Sequence, residues 1–466
     1  MLIDLGTERD APVAPGPWAT GRVGRWFVRL GRRGQLLGAA VLVLLVALVP
    51  TLGGAAESRP GLARVFALTD RAYTFHVAGG RLALVTVADA VVTVSVYRLA
   101  DGTPLWTQTS PAPARPETGY YLTAVSGVLL VVSTEADRQG GDVDAYDFAT
   151  GRSLWGRRGA PIGPLAGGRV LLTTPDPDPC PYPPCDGSSH FPNTPYQLSS
   201  VDLDTGRAGW TVRLTGAENA GVGFDWSPED PAVPLRRMST LDSNGLLRVW
   251  DLGTGAVAVS RSVPPGEAQR MLQFAGDVLL VVHEDTSPTG DTAYRYAGYD
   301  AGTLRPLWQT EPYSTVPGGV WTCGELICIS AQDYVATVDL RTGASGRLTA
   351  GWGWATPIGG GYQLAYPVRG EREDRQRWIL DAASRPLFSI AGWDATVSWP
   401  GRPYALVTRF DEVSGRFWLG RLDVALRGVV PLGVVTGANG TCDPIPGEYL
   451  VCWQLGDRIT VYRYTP

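Results

Sequence analysis

Asp147, Thr150, Gly151 and Trp155 recur with identical spacing as Asp202, Thr205, Gly206 and Trp210. Gly102 and Trp106 form an earlier copy. Asp251, Thr254 and Gly255, and again Asp339, Thr342 and Gly343, keep the turn but lack the Trp. Asp300 and Trp308 keep the two ends, with Leu304 standing where the turn Gly belongs. Weaker copies follow Asp381 and Asp423. The turn positions fall at 102, 151, 206, 255, 304, 343, 384 and 427, with gaps of 39 to 55 residues. A repeat of this size means stacked like units, each too small to bury its apolar face alone.

Each copy has a local physical reading. The Val- and Tyr-rich residues before the Asp form a strand, and the Gly allows φ > 0 in a tight turn. The short apolar run that ends in Trp is the returning strand. Upstream lie further strands, often opened by Gly, at 80–85, 127–132 and 276–282. Four short antiparallel strands fit each period, which is one propeller blade. No long helical periodicity interrupts the series. The fold class expected is all-β.

These residues resemble the tryptophan-docking repeat of the PQQ-type (quinoprotein-like) β-propellers. The match is complete at 145–155 and differs only at Ser200 in 200–210. The resemblance implies that Trp106, Trp155, Trp210 and Trp308 pack against the neighbouring blade. It implies eight blades of four strands, whereas the strand pairs counted along the chain allow nine. The terminal pair at 449–453 and 459–464 lacks an outer strand, and residues 63–68 supply one that closes the ring. A WD40 propeller is the rival, because Trp250-Asp251 is WD-like; no Gly-His partner accompanies it.

Residues 34–56 are 23 positions without a charge. As a helix they span roughly 35 Å, enough for a bilayer core. Arg22, Arg25, Arg29, Arg32 and Arg33 precede them, which places the N-terminus in the cytoplasm. The expected organisation is a disordered cytoplasmic tail 1–33, a transmembrane helix 34–56, a linker 57–64 and an extracytoplasmic propeller 65–466. Cleavage after Gly54, Ala55 and Ala56 is the alternative. The chain has a net charge of −5 and its tail is basic, so the rest is the more acidic part. That excludes nucleic acid as the expected partner.

The six Cys fall beyond the span and pair by spacing: Cys180 with Cys185, Cys323 with Cys328, and Cys442 with Cys452. Even, paired Cys in an outward-facing domain read as disulfides. The three His are widely separated, so no metal site is expected. No Gly-x-Ser-x-Gly, His-Glu-x-x-His, P-loop or Rossmann pattern appears. The resemblance also admits a PQQ-dependent dehydrogenase acting on alcohols or sugars. Such enzymes typically carry adjacent Cys residues against the quinone, and here the closest pair is five positions apart.

The reading favoured is a non-catalytic scaffold without cofactor, similar in repeat type to BamB-type assembly proteins. It would sit in a bacterial cytoplasmic membrane through one helix. Its partners would be other envelope proteins, bound by loops at one rim. The loops expected to carry contacts are 175–195, 225–231 with Trp226, and 369–377.

Overall fold

The computed structural model describes residues 61–465 except for 112–117, 136–140, 176–195, 216–220, 227–232, 264–270, 287–291, 311–318, 324–325, 331–334, 348–351, 368–376, 382–384, 396–403 and 446. The expected tail and span therefore lie outside the described residues, as do Cys180 and Cys185. Among the described residues, no helix is long and apolar enough to cross a membrane. Residues 61–466 form one compact unit.

Every described element is a strand. The first, β1 (Leu62–Ala67), belongs to the last sheet. β2 (Thr74–Ala78), β3 (Arg81–Ala88), β4 (Val91–Arg98) and β5 (Pro104–Pro111) form a sheet in chain order. β6 (Thr118–Val125), β7 (Val128–Glu135), β8 (Gly141–Asp147), β9 (Ser153–Leu165), β10 (Arg169–Pro175), β11 (Tyr196–Asp202) and β12 (Ala208–Leu214) form a seven-stranded one. Four-stranded sheets follow in regular succession. They are β13 (Gly221–Phe224), β14 (Arg237–Leu241), β15 (Leu246–Asp251) and β16 (Ala256–Ser262), then β17 (Leu272–Ala275), β18 (Val278–Thr286), β19 (Thr292–Asp300) and β20 (Pro306–Gln309). β21 (Gly319–Cys323), β22 (Leu326–Ser330), β23 (Val335–Asp339) and β24 (Ser345–Arg347) form the next. β25 (Trp352–Gly359), β26 (Tyr362–Pro367), β27 (Trp378–Leu380) and β28 (Pro386–Ser389) follow, and then β29 (Asp394–Ala395), β30 (Leu406–Asp411), β31 (Arg416–Asp423) and β32 (Gly428–Thr436). The last sheet joins β33 (Ala438–Ile445), β34 (Tyr449–Gln454) and β35 (Arg458–Tyr464) to β1.

The seven-stranded sheet is two repeats joined by one long strand. The first half of β9 pairs with β8 as far as Gly159, and the second half pairs with β10 from Ala160. Gly159 has φ 142°, and a Cβ there would lie 2.8 Å from the Thr173 carbonyl oxygen. The chain thus passes from one unit to the next through an extended glycine instead of a loop.

The middle strands are buried on both faces, as in Leu82, Ala83, Leu84 and Val85 of β3. A sheet stacked between two neighbours requires this. The cores accordingly lie between sheets. Val132, Val143 and Ala145 pack on Val170, Leu172 and Val201. Leu241, Val249 and Leu272 pack on Leu279, Val281 and Tyr299. Leu82, Leu84 and Leu99 of the first sheet pack on Ile445, Val451, Ile459 and Val461 of the last. The final seam brings the two ends of the series together.

β1 pairs antiparallel with β35, Leu62 opposite Tyr464 and Ala67 opposite Thr460. The outer strand of the last sheet is thus supplied by the start of the described chain. This caps an edge that a strand from another chain could otherwise extend.

Candidate functional site

The repeated turn is held by its Asp. Asp147 Oδ1 accepts hydrogen bonds from Ala149 N at 3.0 Å, Thr150 N at 2.8 Å and Thr150 Oγ1 at 2.9 Å. Asp202 with Thr205, Asp300 with Thr303 and Asp339 with Thr342 repeat this arrangement. The backbone closes the same turn, Gly151 N donating to Asp147 O at 2.8 Å. The turn residue takes φ of 68–74° at Gly102, Gly151, Gly206, Gly255 and Gly343.

The Trp completes the arrangement from the preceding unit. The indole Nε1 of Trp106 donates to Phe148 O at 3.1 Å, Trp155 to Leu203 O at 2.7 Å, Trp210 to Leu252 O at 3.0 Å and Trp308 to Leu340 O at 2.8 Å. Each acceptor directly follows the Asp of the next turn. The ring covers the turn Gly so closely that a Cβ on Gly151, Gly206, Gly255 or Gly343 would lie 2.5–2.6 Å from the indole. Glycine is therefore required twice at these positions, for its φ and for its missing side chain.

Two members of the series were not legible as such in the repeat. Phe66 opposes Val461 just before an irregularity in register, as Trp106 opposes Val96. A Cβ on Gly102 would lie 2.6 Å from the Phe66 ring. Phe66 thus occupies the docking position across the seam that closes the series. The second case is a compensated pair. Val259 opposes Val249 at the docking position of β16, and Leu304 occupies the turn it faces. Leu304 is fully buried at φ 55°. The seam that lost its Trp is the seam whose glycine gained a side chain. Trp250 does not belong to the series, since its Nε1 donates to Thr240 Oγ1 within its own sheet at 3.0 Å.

The turn carboxylates are acidified by these bonds. Bonds from the neighbouring Thr hold Asp147, Asp202, Asp300 and Asp339 below the ordinary carboxylate range, and bonds from Ser414 do the same for Asp411. His76 accepts a hydrogen bond from Ala124 N at 3.2 Å across two sheets, and burial lowers its pKa. In both cases the folded state binds fewer protons than the unfolded chain, so stability rises with pH. The His76 contribution is complete above its unfolded value of 6.5 and declines as pH falls below it. The carboxylate contributions decline only below the unfolded value of 3.8. Between pH 8 and pH 5 the denaturant midpoint should fall, and His76→Gln should flatten that fall; burial raises Asp144 and Asp443, which act in the opposite sense. An equal fall in the His76→Gln variant contradicts this assignment.

Cys442 and Cys452 face each other in the β33–β34 ladder and form a disulfide. Cys328 is disulfide-bonded, and no described cysteine is free. The side chain of Cys323 falls outside the described residues. The 442–452 bridge closes a loop of sequence separation 10 in the sheet that β1 completes. Cys442→Ser with Cys452→Ser should cost up to about 3 kcal/mol in chemical denaturation. An unchanged midpoint would show that the bridge adds nothing to that sheet.

The loops expected at one rim divide between two faces. In an antiparallel four-stranded unit, connections one and three share an end, and connection two lies at the other. The strands β13 and β14 flank residues 225–236, so that segment starts and ends on the face of the Asp turns. β10 ends and β11 begins on the opposite face, as do β26 and β27, so the strand ends that flank 176–195 and 368–377 lie there. Trp226 packs against the Phe224 ring with centroids 6.2 Å apart, and its ring tip covers Gly163 of β9. It remains 43% exposed. Among the described residues, no group of His, Cys, Asp and Glu could hold a metal ion.

The family model described as "Outer membrane protein assembly factor BamB" matches residues 63–173 and 196–346, more than half of the chain. The chain belongs to that family. The BamB-like β-propeller architecture is in keeping with the stacked sheets and docking turns above. No curated protein sequence matches. Among solved structures, the chain is similar to BamB from Moraxella catarrhalis at 14% identity, with 86% of this chain and 100% of that chain covered and a TM-score of 0.42. It is also similar to a europium-containing methanol dehydrogenase at 12% identity, covering 87% and 94%, with a TM-score of 0.43.

Proposed function

We propose that this BamB-like protein is a non-catalytic scaffold of the bacterial cell envelope. It is held to the cytoplasmic membrane by residues 34–56, with the tail 1–33 inside and the propeller outside. The observation that carries this reading is the match of the assembly-factor family model to residues 63–173 and 196–346, and the repeat motif itself is spent on structure. Four of its Trp side chains spend their N–H on the backbone of the next unit, and Phe66 covers the Gly102 turn at the closing seam. The motif builds a rigid ring and leaves binding to the loops, which is how scaffolds of this kind present function.

We read the ring as nine blades, the higher of the two counts allowed by the sequence. The long strand β9 serves two of them, and β1 completes the ninth. Closure by a strand from the start of the domain removes a free edge.

The expected partners are other envelope proteins. Chemical crosslinking of the full chain in intact cells should yield adducts with proteins exposed outside the membrane, and a C-terminal reporter should be active only there. Adducts restricted to cytoplasmic proteins, with a reporter active inside, would overturn the reading. Cleavage instead of anchoring would be recognised by a mature N-terminus at Glu57.

A further inference from the structure

We propose that Asn439 is a site of spontaneous modification, losing its side-chain ammonia through a cyclic imide and ending as aspartate or iso-aspartate. The chain contains two Asn-Gly pairs, Asn244-Gly245 and Asn439-Gly440. In such a pair the backbone nitrogen after the Asn reaches the side-chain carbonyl most easily, because glycine has no Cβ to obstruct it. The sequence makes the two pairs equal, and the fold makes them differ.

Asn439 lies in a break of the β33–β34 ladder. Ala438 pairs with Gln454 and Cys442 with Cys452, so residues 439–441 stand opposite Trp453 alone. Residues in such a bulge lose their ladder partners. Gly440 has φ 103°, a conformation that glycine adopts at little cost. Asn439 and Thr441 are exposed, and Thr441 N donates to Asn439 Oδ1 at 3.3 Å. This bond folds the Asn side chain back over the Gly440 peptide and brings Cγ towards Gly440 N. It also sets an N–H on the oxygen where negative charge develops when that nitrogen attacks. The Asn244 tip between β14 and β15 has neither device. Gly245 N, the nucleophile there, donates to Asp242 O at 3.0 Å. Leu246 N, the counterpart of Thr441 N, donates to Asp242 Oδ1 at 2.8 Å. Gly245 O accepts from Val263 N at 2.8 Å, which fixes the turn further.

Water is the only co-reactant the step needs. Gly440 N gives its proton to solvent base and bonds to Asn439 Cγ. The Cγ–Nδ2 bond breaks, and Nδ2 leaves as ammonia. Water then opens the imide ring. Breaking the new Cγ–N bond leaves aspartate. Breaking the original peptide bond leaves iso-aspartate, with the main chain running through Cγ. Either product adds a carboxylate to β33. Residues 439–441 carry no ladder pairs, and the Cys442–Cys452 bridge holds the strand beyond them, so the bulge takes up the extra backbone carbon.

The test is incubation of the folded full chain in mildly alkaline buffer, followed by cleavage after Arg and mass spectrometry of the peptides. Met238–Arg248 then carries Asn244, and Gly428–Arg458 carries Asn439. Gly428–Arg458 should gain the mass of a hydroxyl replacing an amide and contain iso-aspartate at 439. It should do so roughly tenfold faster than Met238–Arg248, because the backbone bonds at Gly245 must break before its nitrogen can attack. In denaturant the two rates should converge. Asn439→Gln should abolish the change in Gly428–Arg458 and leave the melting temperature where it was. Equal rates in the folded chain, a faster change at Asn244, no iso-aspartate at 439, or a change that persists in Asn439→Gln would each overturn the proposal.

Discussion

Trp155→Ala should destabilise the propeller by about 3 kcal/mol, the lower end of the range for a large aromatic truncated in a core. The ring is half-buried, which sets the lower end. It covers Gly206 and donates to Leu203 O, and with it the Leu203 carbonyl loses its partner. The damage lies at a seam between two units. Loss of a seam opens a ring instead of loosening one sheet, so aggregation should accompany the lower denaturation midpoint. An unchanged midpoint would show that the Trp does not hold the seam.

The Val259–Leu304 seam should show the largest coupling in the molecule. Leu304→Gly removes a fully buried side chain and should cost about 2–5 kcal/mol, less roughly 1 kcal/mol regained from relief of the left-handed backbone. Val259→Trp drives an indole into the space that Leu304 fills and should cost about 1–3 kcal/mol. Together the two substitutions recreate the Trp-on-Gly contact seen at Gly255 and Gly343. The double variant should therefore be more stable than the sum of the single effects by about 2 kcal/mol. Four urea titrations decide it. Additive costs would mean that Val259 does not stand at the docking position.

Much of this architecture was readable in the sequence because the turn is local. Asp147, Thr150 and Gly151 bond within five residues, so their spacing survives in every good copy. The four Trp were readable because an indole is a rare residue at a fixed offset. Phe66 was hidden because its partner Gly102 belongs to the first repeat while Phe66 precedes it; only closure of the series brings them together. Leu304 looked like a lost glycine, and Val259 like a lost Trp, when each was read in its own repeat. Read across the seam they are one substitution shared between two units. The division of the candidate loops between two faces was also hidden. It depends on which strands flank each loop, and the repeat does not reveal that where strands as short as β29 occur.

Binding of PQQ with Ca²⁺ to the full-length protein, followed together with dye-linked alcohol and sugar dehydrogenase activity, tests the scaffold account most directly. The account predicts no stoichiometric quinone binding and no activity, because the closest Cys residues lie five positions apart, whereas quinoprotein dehydrogenases typically set adjacent Cys residues against the quinone. Stoichiometric binding accompanied by dehydrogenase turnover would contradict it and make the protein an enzyme.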